Sequence, residues 1–342
     1  MDNTGYIKEK EKMDAIMQNQ KARKVRIGMV YAGFGAPMLG IAFGFAGMAG
    51  GLKPFSNAFP TGSLCFQMFE MLFGLLAIFI YSCTIGSVKE HFRVFRSKIA
   101  CWGVFTAMTG MIGDFLYFAA SAIVGGSIAG PLAATFGFWG AVITAIVWRE
   151  KLLTKWTIIG VVFILIGVWV ASGGLTMAAP AGVSNTTVII GAIMGLLAAI
   201  IYGAENFAIC AGSDFMPEET TLFWRAGWAI IGSLCINFFI MPQFSSIASE
   251  MISNPMWYAY GGITGGAWGV YMITSYYIGI NTAGTSGGGV LSATGFVWAT
   301  LLSMFVYNST FSPMILIGTL VMFVGIAIML VRPEKVVATL RE

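Results

Sequence analysis

Residues 251–331 read MISNPMWYAYGGITGGAWGVYMITSYYIGINTAGTSGGGVLSATGFVWATLLSMFVYNSTFSPMILIGTLVMFVGIAIMLV, 81 residues without one Asp, Glu, Lys, Arg or His. Water-soluble folds do not leave so long a stretch uncharged, whereas about 20 apolar residues cross the hydrocarbon core of a bilayer as one helix. Broken by Gly and Asn clusters, the stretch holds about three spans. The rest of the chain obeys the same rule: of 342 residues, 57% are hydrophobic and 10% charged, with 44 Gly and 27 Phe. Such runs are too long and too unalternating for barrel strands, and only a helix satisfies its own backbone in lipid. The sequence predicts an all-α membrane protein.

Charges and turn residues divide the chain into ten spans, at 27–49, 62–85, 99–122, 126–148, 156–175, 187–210, 221–241, 256–278, 285–307 and 312–331. Basic residues test the count, because cytoplasmic loops collect Lys and Arg. With the N-terminus inside, 18 of the 19 fall on the cytoplasmic side and only Lys53 lies outside. Residues 1–26 then form a polar cytoplasmic tail with seven Lys/Arg, no cleavable signal peptide is visible, and 332–342 form a second cytoplasmic tail. Arg225 falls at the cytoplasmic edge of its span in this reading. The five cysteines, an odd set with no C-x-x-C pair, read as packing residues. The expected location is the cytoplasmic membrane, as a monomer or homodimer in lipid.

An internal repeat organises the spans. Ser127-Ile128-Ala129-Gly130 through Phe138 recurs loosely as Thr285-Ser286-Gly287-Gly288 through Phe296, and Ile159-Gly160 with Gly167-Val168 recurs as Ile317-Gly318 with Gly325-Ile326. Each half, 27–175 and 187–331, then has five spans. Five is odd, so the second repeat must be inverted relative to the first, an arrangement secondary transporters use to exchange inward-open and outward-open shapes.

The segment Trp148-Arg149-Glu150-Lys151-Leu152-Leu153-Thr154, followed by Ile159-Gly160 and Gly167-Val168, resembles the drug/metabolite transporter superfamily in its ten-helix EamA-type branch of exporters and permeases. The resemblance implies the fold and small-molecule transport. The chain departs from the family pattern in two places. Asn308 stands where a turn acid is expected, implying an asymmetric pair of gates, and Phe136-Gly137 stands where helix four commonly has Pro, leaving Pro131 as the candidate for its bend.

Three carboxylates lie inside spans: Glu70, Asp114 and Glu205. A bilayer charge costs several kcal/mol unless it is paired, neutral or facing water, so each is a candidate for proton coupling or for holding a cationic solute. No basic residue of any span is expected beside them. Tyr117, Trp139, Tyr202, Tyr271 and Trp298 are the candidate aromatic lining, since rings beside an acid favour organic cations. The glycine run containing Gly284, Ser286, Gly287 and Gly288 enters span nine as a candidate gate.

Enzymatic readings are weaker. Gly284-Thr285-Ser286-Gly287-Gly288 matches G-x-S-x-G, but a serine nucleophile needs a base and the single histidine, His91, lies in a basic loop. No P-loop, metal cluster or cofactor motif is present, and nothing points to nucleic acid. The expectation is a proton-coupled exporter, an antiporter of a small amine or similar metabolite. The alternatives are a permease for a neutral metabolite such as an amino acid, nucleobase, sugar or vitamin, and an uncoupled channel or scaffold.

Overall fold

In lipid, apolar side chains belong outside and polar ones inside, and the helices are oriented accordingly. Phe34, Ile146, Phe238 and Phe239 are exposed, while Gln67, Glu70, Asp114, Glu205, Asn206 and Arg225 are each at most 2% exposed. The structure is a computed structural model describing residues 3–54, 62–96, 104, 108–124, 126–148, 155–171, 184–212, 216–306 and 313–331. The turn at 149–154 and Asn308 lie outside the described residues. The chain is an all-α membrane protein, with helices and no strand among the described residues.

Helix α1 (Asn3–Gly51) joins the polar tail and the first span without a break, and α2 (Gly62–Ile85) has the bounds expected of span two. A short α3 (Glu90–Arg93) follows. Span three is α4 (Met108–Val124), and span four is divided into α5 (Gly126–Ala133) and α6 (Phe136–Trp148). Then come α7 (Lys155–Ala171), α8 (Asn185–Gly212), α9 (Glu218–Ile240) and the short α10 (Phe244–Ser253). The side chain of Asn254 accepts from the Met256 N–H and Pro255 begins α11 (Pro255–Tyr271), a strong start signal. A π-helical segment, Met272–Ile278, carries α11 into α12 (Gly279–Gly284). Span eight is therefore longer than the expected 256–278. It ends at Gly284, whose φ of 75° only glycine takes without strain. A π-helical turn Thr285–Gly289, then α13 (Val290–Ala293) and α14 (Gly295–Val306), make span nine, and α15 (Pro313–Val331) is the last. Among the described residues, four helices are long and apolar enough to cross a membrane (Arg23–Ala46, Cys65–Ile85, Thr186–Ile209, Glu218–Phe239), with shorter apolar helices beside them.

The two halves break their fourth helices in the same way. In the first, Thr135 donates its hydroxyl to the Leu132 carbonyl at 2.8 Å; in the second, Thr294 donates to the Leu291 carbonyl at 2.7 Å. The backbone matches as well: the amides of Phe138 and Trp139 bond to Thr135 O, and those of Val297 and Trp298 to Thr294 O. Threonine hydroxyls compete for helix carbonyls and bend helices. The second break has no proline, so Pro131 is not needed to explain the first. Through this break the halves pair one residue out of the register expected from sequence.

Helices α7 and α15 show the original register. A Cβ on Gly167 would lie 2.5 Å from the Gly318 carbonyl, and one on Gly325 would lie 2.5 Å from the Gly160 carbonyl. The helices cross antiparallel at small residues, as lipid-embedded helices do when backbones approach closely. Other contacts also come in pairs: α1 packs on α11 and α14, as α8 packs on α4 and α6.

At the end of α2, His91 is not a loose loop residue. Its Nδ1 lies 3.0 Å from Thr220 Oγ1 and its ring stacks on Phe223 at 4.5 Å, while Trp224 Nε1 donates to its carbonyl. Burial pushes the imidazole below its usual 6.5, against the opposing pull of Glu219 and Glu90. The unfolded chain thus takes the proton at higher pH than the folded one, and the fold loses stability as pH falls below about 6.5. Melting temperature should drop between about pH 7 and pH 5 in wild type and drop less in His91→Gln.

Candidate functional site

Two glycines on α4 make room for the site. A Cβ on Gly110 would lie 2.8 Å from the guanidinium carbon of Arg225, and one on Gly113 would lie 2.7 Å from the Tyr202 ring. Between them and the next turn stands Asp114, 1% exposed. Arg225 lies seven residues into α9, about 10 Å along the axis rather than at the edge. Its Nε donates to Glu205 Oε1 at 2.6 Å and its Nη2 to Asp114 Oδ1 at 3.1 Å. This corrects the expectation that the buried acids have no basic partner: sequence distance from the cytoplasmic edge suggested a surface arginine, but α9 continues inward past it.

Tyrosines complete the shell. Tyr202 donates to Asp114 Oδ1 at 2.7 Å and Tyr276 to Glu205 Oε2 at 2.9 Å, while Trp268 stacks under the guanidinium at 5.1 Å. Tyr271 and Tyr276 are five residues apart. On an α-helix they would point to different sides, but the i→i+5 winding of the π segment between them brings their rings to 5.8 Å. Phe136 and Phe296, each just after a threonine break, meet at 6.0 Å across the same space. These rings and the Asp114–Arg225 pair enclose about 10 Å³, room for a single water.

The candidate residues divide by position. Asp114, Tyr202 and Tyr271 line the cavity, and Glu205 backs it through Arg225. Tyr117 is one layer behind, stacked on Phe43 at 4.7 Å. Glu70 is fully buried on α2, apart from the ion pairs. Trp139 packs over Gly203 between α6 and α8, and Trp298 is 36% exposed beside Phe323 on the outside of α14. Gly284, Gly287 and Gly288 lie at the turn between α12 and α13; the Ser286 side chain is outside the described residues. Arg225, Trp268, Phe136 and Phe296 were not foreseen as site residues. Gly110 and Gly113, four residues and one residue before Asp114 on the same side of the helix, were the available signal that large side chains from other helices lie against it.

Residues 189–331 match the EamA-like transporter family. The EamA-like region spans the second half, whereas the residues that carried the sequence resemblance lie in the first, so the two observations are independent and agree. EamA-like proteins are membrane transporters of small molecules, and this chain, which matches their model over its second half, is a multi-pass membrane protein. A solved crystal structure, described simply as that of a protein, superimposes with a TM-score of 0.67 over 90% of this chain and 97% of its own, at 19% identity. That likeness speaks to the fold alone. No curated protein matches the chain.

Proposed function

We propose that the chain is a proton-coupled secondary transporter exporting a small amine-bearing metabolite, and that this solute also carries an acceptor group such as a carboxylate. The observation that carries the reading is a pair of unused atoms. Arg225 Nη1 and Asp114 Oδ2 are both buried and without a hydrogen-bond partner among the described residues, and both residues line the cavity. A buried donor and a buried acceptor side by side cost free energy unless something fills both. A zwitterion does so, its carboxylate on Arg225 and its ammonium on Asp114, with rings around it. A simple cation would use only Asp114 and leave the arginine wanting.

Alternating access fits the rest. About 10 Å³ holds no metabolite, so the site must open to load. The antiparallel crossing of α7 and α15 and the matched threonine breaks support two inverted halves, 27–175 and 187–331, able to exchange shapes. The basic-residue count supports cytoplasmic termini in the cytoplasmic membrane.

The test is a thermal-shift panel on purified protein, using α-amino acids, the amines lacking their carboxylate, and the acids lacking their amine. Ligand binding raises the melting temperature by mass action. Some amino acid should bind, and its two truncated relatives should bind at least about tenfold more weakly, the worth of one charge-assisted hydrogen bond. An amine that binds as tightly as the zwitterion would restore the plain organic-cation reading. An uncharged ligand indifferent to both residues would favour the neutral-metabolite permease.

A further inference from the structure

One carboxylate takes no part in the site above. Glu70 and Gln67 are one turn apart on the same face of α2, both 0% exposed. All four of their side-chain polar atoms are buried with no hydrogen-bond partner among the described residues. Glu70 does not line the solute cavity. We propose that Glu70, with Gln67 as its positioning partner, is a proton-binding site separate from the solute site.

The chemistry follows from what surrounds the carboxyl. On α4 it faces Asp114 and Tyr117, which lie within its electrostatic reach. Among the described residues the one buried Arg or Lys is Arg225 of α9, and it is held by Asp114 and Glu205. Helix α11 offers α2 glycines at 261 and 265 and the Trp268 ring, with Tyr258 beside Phe69 and Phe73. Between Arg26 and Gly51, α1 has Tyr31 as its single ionisable side chain, and Glu250 of α10 is exposed. An ionised carboxylate there would have no counter-charge of its own and a like charge for a neighbour, so the neutral acid is the form that fits. A metal cation would need several further oxygens, whereas a proton needs none. One turn away on the same face, the Gln67 amide can receive the acid's O–H after a side-chain rotation, or donate N–H to the carboxylate once the proton has left.

On its α11 side Glu70 is covered closely: a Cβ on Gly265 would strike the Glu70 carbonyl, with Phe73 and the Trp268 ring packed in the same seam. The ion pairs of Arg225 are made by α4, α8 and α9, and Glu70 takes no part in them. Proton and solute then have separate seats, linked through Asp114.

Infrared spectroscopy reads this without any ligand. Full-length protein in phosphatidylethanolamine/phosphatidylglycerol vesicles, titrated from about pH 5 to about pH 10, should show a protonated-carboxyl stretch that fades as pH rises. Glu70→Gln should remove that band and Asp114→Asn should leave it. Gln67→Leu, which takes away the donor to the carboxylate, should move its midpoint up by about one pH unit. A band that survives Glu70→Gln, or a wild-type spectrum with no titrating protonated carboxyl, overturns the proposal. Should Glu70→Gln fail to fold, the wild-type and Gln67→Leu titrations decide. That this proton is the one exchanged for solute rests on the exporter reading; a solute panel without a hit would end that reading and leave the infrared result standing.

Discussion

Arg225→Met should lose a large part of the stability of the fold. The guanidinium is 2% exposed and bridges two carboxylates that are themselves buried. Methionine fills much of the same volume but leaves two charges without a partner, and removing one member of a buried ion pair costs about 3 to 5 kcal/mol. Against a total stability of about 5 to 15 kcal/mol, that takes a large share. Combining Arg225→Met with Asp114→Asn and Glu205→Gln removes all three charges and keeps the shapes, so the stability should return. Solute binding should not return, because the donor and acceptor it uses are gone. Gel filtration and thermal melts in detergent measure the first part, and the thermal-shift panel the second. A single variant that melts like wild type would mean that the bridge is not ionic and that the carboxyls are already neutral.

Gly288→Ala should be the next most damaging change, and Gly287→Ala should be mild. From sequence the two glycines are interchangeable parts of one gate. In the fold, a Cβ at 288 would press on the Gly279 peptide, 2.5 Å from its carbonyl carbon and 2.8 Å from Ile280 Cα. A Cβ at 287 would meet the end of Met29 at 3.0 Å. Methionine tips move aside and backbone does not. Overpacking of this kind costs about 1 to 3 kcal/mol, so Gly288→Ala should lower the melting temperature by several degrees or prevent isolation of the protein. Gly287→Ala should fold normally. If the run gates transport, that variant should slow transport more than it weakens binding. Equal melting temperatures for the two variants would show that the π turn at 285–289 relaxes freely.

Span positions were legible because a bilayer demands about 20 apolar residues and tolerates few charges, a constraint written locally in the chain. Helix α2 has its expected bounds for that reason. Span eight ran on to Gly284 because the π winding at 272–278 has no simple signature in hydropathy. The buried acids were also legible, since an acid in an apolar run is conspicuous wherever it sits. Arg225 was not: four residues from an expected span edge, an arginine can snorkel to the surface or turn inward. Only the three-dimensional placement of α4 and α8 against α9 decides which. Tyr202 and Tyr271 were singled out from their depth, and so was Trp298, yet depth does not say which side of a helix faces lipid. Trp139 and Trp298 occupy matching places after the threonine breaks, and neither reaches the cavity.

The glycine crossing of α7 and α15 has a consequence for experiment. Gly167 meets Gly318 and Met322, and Gly325 meets Gly160 and Ile164, so each contact occurs twice with the roles of the helices exchanged. This is an isologous contact, the kind found on the axis of a symmetric dimer, held here inside one polypeptide. A substitution at Gly160 therefore has a built-in counterpart at Gly318, at the equivalent point of the crossing but on the other half, with Phe163 and Ile164 lining one contact and Met322 the other. Comparing the two variants weighs one half against the other at a single matched contact.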